Sequence, residues 1–226
     1  MSHPLDRPVW ASLTTHHAPL AEGDALARRF LRDVNIFASP LDDSPAALAA
    51  LAALVGAGES VLLLQAPQIT IPAGLVAVRE AKGVQMIAPL GTPFEDAGGD
   101  ITPLGDPDAP EMLALAKLTE PGPFLSRTHL MGAFLGIRVG GRLAAMAGER
   151  MRFPGYTEVS GVCTHPDFRG RGFARRLSAV VAHRIQARGD QAFLHAWKDN
   201  RPAISLYEAL GFALRTEVNV AVLRRA

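Results

Sequence analysis

The sequence predicts an α/β chain in two parts, and three observations carry that expectation. Helical apolar spacing alternates with short β-prone runs in both halves. A segment dense in turn formers, Gly91 to Pro107, separates the halves. In the second half Gly140-Gly141 stands between two β-prone runs, a two-residue hairpin signal that implies antiparallel pairing. With 226 residues and a hydrophobic share of 48%, the chain can build one large core or two small ones.

Taken in order, Leu20 to Val34 carries helical spacing at Leu20, Ala25, Leu26, Phe30 and Leu31. Ser44-Pro45 supplies an N-cap followed by proline at the first helical position, which opens a helix over Ala46 to Val55, and Gly56 and Gly58 end it. Ser60 to Ala66, Gly74 to Val78 and Val84 to Ala88 read as short strands. Gly91 to Pro107 has no apolar stripe and reads as a linker, so the expected division is a smaller N-terminal α/β domain over 1–105 and a second domain over 106–226. Asp108 caps a helix reaching about Leu118, and Pro121-Gly122-Pro123 breaks it. Phe134 to Val139 and Arg142 to Glu149 form the hairpin. A strand over Tyr156 to Thr164, a helix to Arg188, a strand over Ala192 to Trp197, a helix over Pro202 to Leu210 and a strand over Leu214 to Leu223 complete the chain.

The chemistry concentrates where the strand Tyr156 to Thr164 ends. Pro166 has no backbone donor and pushes His165 toward an extended conformation, so the strand stops there. The loop that follows contains Gly170 and Gly172, whose missing Cβ atoms let successive amides converge on a ligand, and it runs into a helix whose first turn offers unpaired N–H groups. Arg169, Arg171, Arg175 and Arg176 crowd the same helix start, against the macrodipole by roughly 0.3–1 kcal/mol each. An anion would offset them. The P-loop pattern fails because no Lys-Ser or Lys-Thr follows these glycines. A dinucleotide-binding turn is disfavoured by Arg175, too large for close helix–sheet packing, although Asp199 lies downstream as an acidic residue of the kind that fold uses.

Arg169, Gly172 and Ala174 fit the pattern Arg/Gln-x-x-Gly-x-Gly/Ala, which resembles the pyrophosphate loop of the GNAT superfamily of acyl-CoA-dependent N-acyltransferases. Asn200, Ala203, Leu206, Tyr207, Leu210, Gly211 and Phe212 resemble a later motif of the same superfamily, one helix and one strand downstream. The resemblance covers roughly Asp108 to Ala226. It implies a mixed, mostly antiparallel central sheet with splayed strands, flanked by helices. It also makes the first half a candidate for a degenerate copy of that fold, as some relatives carry.

The resemblance further implies acetyl-CoA as acyl donor, lying in the gap between Tyr156–Thr164 and Ala192–Trp197. Its pantetheine arm would meet the backbones of Val162, Cys163 and Thr164, and its pyrophosphate the amides of Arg169, Gly170, Arg171, Gly172, Phe173 and Ala174, with Asn200 and Ala203 as further contacts. Asn200 is equally placed to cap its own helix. Tyr207 maps onto the family's frequent general acid, returning a proton to the CoA sulfur. A lysine-like amine near ~10.4 costs roughly 4–5 kcal/mol to deprotonate at pH 7, an α-amino group near ~8 only about 1. A base is thus demanded by one acceptor class and optional for the other. Glu158 is the candidate base, because strict alternation places it on the strand face of Ser160, Val162 and Thr164; a surface carboxylate is the competing reading, and a bulge would change the face. Glu149 and Arg150, at a strand end on the acceptor side, are candidates for substrate recognition.

Cys163 lies in an apolar run, where a thiol packs as a small hydrophobe, so a covalent route through it is not expected. His165, His183 and His195 lack metal-ligand spacing, and no metal is expected. A net charge of +1, with two Trp, two Tyr and no sustained basic run, gives no nucleic-acid surface. No run approaches the ~18 apolar residues of a membrane span, and with its single cysteine and no apolar leader the chain reads as cytoplasmic. The expected function is acyl transfer to a primary amine of a small molecule or peptide by direct attack, in a chain that is monomeric or a homodimer. The alternative is an acyl-CoA-binding module that has lost transfer.

Overall fold

The computed structural model describes residues 3–96 and 99–226. Its elements in chain order are α1 (Pro8–Leu13), β1 (Ala21–Gly23), β2 (Ala27–Phe30), β3 (Ala38–Pro40), α2 (Pro45–Leu54), β4 (Ser60–Gln65), β5 (Leu75–Ile87), β6 (Ile101–Leu104), α3 (Ala109–Thr119), β7 (Phe134–Val139), β8 (Arg142–Phe153), β9 (Tyr156–Thr164), α4 (Phe173–Ala187), β10 (Gln191–Trp197), α5 (Arg201–Ala209) and β11 (Ala213–Arg225). Eight strands form one sheet in the order β4-β11-β5-β10-β9-β8-β7-β6. Every neighbouring pair is antiparallel except β9 and β10, which α4 connects in parallel. The mixed, mostly antiparallel sheet flanked by helices is therefore present.

The division at Gly105 is not a boundary between sheets. β4, β5 and β6 all come from before it, and β5 inserts between β10 and β11, pairing with both. One core packs Val84, Met86, Phe94 and Ile101 from the first half against Leu135, Val159, Val180 and Leu194 from the second. The turn-rich stretch read as a linker holds an edge strand, β6, paired with β7. The physical reason is that Gly74 to Val78 and Val84 to Ala88 are the ends of one long strand. Its polar middle, Arg79 to Lys82, lies in an exposed sheet region and so lacks the apolar signature of a strand. Nor is the first half a second copy of the fold: its separate sheet is the small β1-β2-β3 meander.

Leu20 to Val34 also differs from expectation. Residues 21–23 and 27–30 of that stretch form the paired strands β1 and β2, only Phe30 of the spaced apolar residues lies in a strand, and the helix of this region is α1, opened by Pro8. At two places local chemistry sets the elements as read: Ser44 Oγ accepts from the Ala47 N–H at the start of α2, and Gly140 and Gly141, both at positive φ, turn β7 into β8. Asp108 precedes α3 but does not cap it with its side chain; its Oδ2 accepts from the Gly105 N–H behind it.

Candidate functional site

β9 and β10 pair only at Tyr156–Gln191, Thr157–Ala192 and Glu158–Phe193. Beyond them β10 stays with β5 through Trp197, while β9 stays with β8 through Thr164. The two strands part, and the backbone edges of Val162 to Thr164 and of His195 to Trp197 line the gap, which opens into a cavity of about 590 Å³. Val162, Cys163, Thr164, Arg169, Gly170, Arg171, Gly172, Phe173, Ala174, Asn200, Ala203 and Tyr207 all line it.

At one end of the cavity lies the glycine loop. Gly172 caps α4 in the left-handed region with φ +75°, Gly170 has φ +78°, and no side chain caps the helix. The first-turn amides of α4 therefore have no intrahelical acceptor and face the cavity end. Arg176 is drawn aside to Asp100, and Arg171 stacks on Phe168 at 5.3 Å. Arg169 and Arg175 have no carboxylate partner among the described residues. Convergent amides and uncompensated cations at a helix start make an anion site.

Tyr207, on α5, lines the cavity and is 9% exposed, its ring edge-on to Phe212 in the core. Burial first, then the charges of Cys163 and Glu158, push its hydroxyl up to about 12. Cys163 is also buried, and desolvation raises its thiol to about 11, so it stays protonated and unreactive at neutral pH. Asn200 Oδ1 accepts from the Ala203 N–H at 3.2 Å and caps α5, while both residues line the cavity.

Glu158 does not occupy the position expected of a base. It is 0% exposed and is absent from the cavity wall. Arg150 grips it through Nε at 2.8 Å and Nη2 at 2.6 Å, His195 Nδ1 lies at 2.7 Å, and the Met151 N–H adds a fourth contact. Desolvation opposes the charge, but the Arg150 guanidinium and the hydrogen bonds from Arg150 and His195 outweigh it and hold the carboxyl at about 2. A carboxylate so stabilised is a poor base. Strict alternation does not hold in β9: its pairing with β8 is irregular between Met146/Gly148, where β9 carries the extra residue, and again between Glu149/Arg152, where β8 does. At the first, Gly161 adopts φ +63°, and a Cβ there would meet Phe134 Cε1 at 2.9 Å.

The residues that do reach the cavity from this network are Arg150 and His195. Glu158, ionised, can only accept, so His195 carries its hydrogen on Nδ1, and Nε2 accepts from Gln85 Nε2 at 3.0 Å. Gln85 is fixed in turn by Arg215 at its Oε1 and by the Leu5 carbonyl. Gln85 sits in β5 and was invisible to motif reading; a glutamine inside the apolar run Val84 to Ile87 was its one signal. Glu149 pairs with Arg188 at 2.9 Å, away from the cavity. More of the wall comes from residues no motif marked: Phe37, Leu62 and Leu64 from the first half, Val218 and Val220 from β11, and Thr119 to Pro123, the last residue of α3 and the turn after it. That last segment turns at Glu120, whose φ of +48° ends α3.

Parted strands, a glycine loop at a helix start and a tyrosine over the gap define an acyltransferase. Residues 134–221 match the family described as FR47-like protein. A crystal structure from Novosphingobium aromaticivorans, of a protein assigned to the GNAT family as an acetyltransferase, is 43% identical with a TM-score of 0.93, covering 100% of both chains. A GCN5-related N-acetyltransferase from Kribbella flavida (17% identity, TM-score 0.66, 100% of this chain and 96% of that one) shares the fold. So does a GCN5-related N-acetyltransferase-like protein from Streptococcus suis (15%, 0.61, 97% and 92%). No curated protein matches. The chain belongs to the GNAT superfamily. Among the described residues no helix is long and apolar enough to cross a membrane.

Proposed function

We propose that the protein transfers an acetyl or short acyl group from acetyl-CoA to a primary amine of a small molecule or peptide, by direct attack in a ternary complex. The observation that carries this reading is the 590 Å³ cavity between β9 and β10, with an anion site at one end and apolar walls at the other. The loop Arg169 to Ala174 would take the pyrophosphate, and the free edge of Val162 to Thr164 the pantetheine amides. The reaction forms the amide C–N bond and breaks the C–S bond; the amine proton ends on solvent or sulfur.

Glu158 is a positioning residue in this scheme, holding Arg150 and His195. His195 has both ring nitrogens engaged, so the amine loses its proton to water. That favours acceptors of low pKa, for which deprotonation at pH 7 costs about 1 kcal/mol rather than 4–5. Tyr207 at about 12 is a weaker acid than a thiol near ~8.5, and full proton transfer to the thiolate is uphill by about 5 kcal/mol. Its role is to donate a hydrogen bond to the sulfur as charge develops there. A buried protonated thiol at Cys163 suits the reducing cytoplasm.

The test is CoA release from acetyl-CoA across a panel of amines. Turnover with at least one primary amine, and CoA binding by calorimetry, are expected. A folded protein that binds no CoA refutes the donor site, and one that binds CoA but releases none with any amine refutes transfer.

A further inference from the structure

The guanidinium of Arg150 has two bidentate edges, and Glu158 uses one. Nε and Nη2 face its carboxylate, which leaves the outer edge formed by Nη1 and the second hydrogen of Nη2. Among the described residues Nη1 has no hydrogen-bond partner. Gly122 leaves room beside it: a Cβ there would lie 3.5 Å from Nη1. The Arg150 side chain is only 9% exposed, and its plane is set by stacking on Phe37 at 4.8 Å. It lines the same cavity as Phe37, Leu62, Leu64 and Val220. A rigid, shielded fork with one edge unused, in the wall of a cavity with apolar lining, suits a planar anion.

The surroundings favour negative charge as well. The adjoining chamber of about 510 Å³ shares Leu62, Trp197 and Val220 with the main cavity and is rimmed by Arg79 and Lys117. Neither cation has a carboxylate partner among the described residues, and Arg79 is held over Trp197 at 5.5 Å. Glu120 is the one carboxylate on that chamber's wall, and it lines the main cavity as well. The pyrophosphate site lies at the other end of the main cavity, at the glycine loop, so the phosphates of the donor do not need this edge.

Resting on the acyl-transfer reading, we propose that Arg150 anchors the carboxylate of the acceptor, and that the acceptor class is a free amino acid with an apolar side chain. The carboxylate docks on the Nη1/Nη2 edge, the side chain fills the space between Phe37, Leu62, Leu64 and Val220, and the amine is left toward the β9–β10 gap. Glu158 makes the recognition specific by fixing the fork.

Two amine-free probes of one shape test the anchor directly. 3-Phenylpropanoate and 3-phenylpropanamide are titrated calorimetrically into CoA-saturated wild type and Arg150→Lys, with circular dichroism to establish folding. Wild type should bind the carboxylate at least tenfold more tightly than the amide. Arg150→Lys keeps a charge against Glu158 but has no fork, and the preference should fall at least fivefold. Equal affinities in wild type, or binding of neither probe, overturn the proposal even if the variant does not fold; so does an unchanged preference in folded Arg150→Lys. Turnover separates the two readings. CoA release with phenethylamine as fast as with phenylalanine keeps transfer and rejects the anchor. Carboxylate-selective binding with no release for any amine keeps the anchor and rejects transfer.

Discussion

Replacing Glu158 by glutamine removes one charge from a fully buried cluster and leaves its volume almost unchanged. Arg150 then faces a neutral amide that can accept one of its two hydrogen bonds and cannot neutralise it. Breaking a buried pair in this way costs about 3–5 kcal/mol. The carboxyl's own titration gives a second figure. A folded value of about 2 against an ordinary 4.5 corresponds to about 3 kcal/mol. Because the folded value is depressed, that stabilisation is fully present above pH 4.5 and is lost as pH falls through 2; by pH 3 it is down to roughly half. In a chain of this size the substitution should lower Tm by about 10 °C at pH 7. The assay is urea or thermal unfolding of wild type and Glu158→Gln at pH 7 and pH 3. The gap between them should shrink by about half at the lower pH. A cost under about 1 kcal/mol at pH 7, or a gap independent of pH, would mean that Arg150 is solvated through the cavity and that the pair carries little. The same variant decides the catalytic role. Acetylation of high-pKa and low-pKa amines should fall by one common factor; a loss confined to high-pKa amines that narrows as pH rises would make Glu158 the base after all.

Two further outcomes concern the donor. Gly172→Glu forces a side chain into φ +75° and places a carboxylate before the first-turn amides of α4, so CoA affinity measured by calorimetry should drop by at least 10²-fold; the space around a Cβ there is open, so the fold should survive, and unchanged affinity removes the anion site. Tyr207→Phe keeps the ring contact with Phe212 and loses a hydrogen bond to a developing thiolate worth about 1.5–3 kcal/mol, so kcat and kcat/KM should fall together by roughly 10–10²-fold, with part of the loss recovered on a thioester whose thiol is more acidic; single-turnover rates equal to wild type would leave Tyr207 as packing alone.

The glycine-loop half of the site was legible in the sequence because its chemistry is local. Pro166, Gly170, Gly172 and the start of α4 fix a loop through φ restrictions and unpaired amides that need no distant partner, and Asn200 caps α5 three residues ahead of the amide it satisfies. The half around Arg150 and His195 is built from long-range pairs. Gln85 meets His195 across β5 and β10, Phe37 lies against Arg150, and Leu62 and Val220 share one wall; each pair is separated by about a hundred residues or more, and no spacing rule connects them. Arg150 and Glu158 are close in sequence, yet their partnership was hidden too. Period-2 alternation assigns faces only while both strands keep register, and β8 and β9 lose it twice within the stretch that carries these residues. The irregularity that defeated the reading is part of the site. At Gly161 the ring of Phe134 occupies the place of a Cβ. Between Glu149 and Arg152 the extra residue of β8 falls at the stretch that holds Arg150, whose guanidinium meets Glu158 under the cavity wall. A regular ladder would have kept Glu158 on the face of Val162 and Thr164, where the alternation put it, exposed to the amine and free to act as a base. Here that carboxylate holds a guanidinium at the cavity wall instead, and on the proposed reading selectivity falls to the acceptor's own charge.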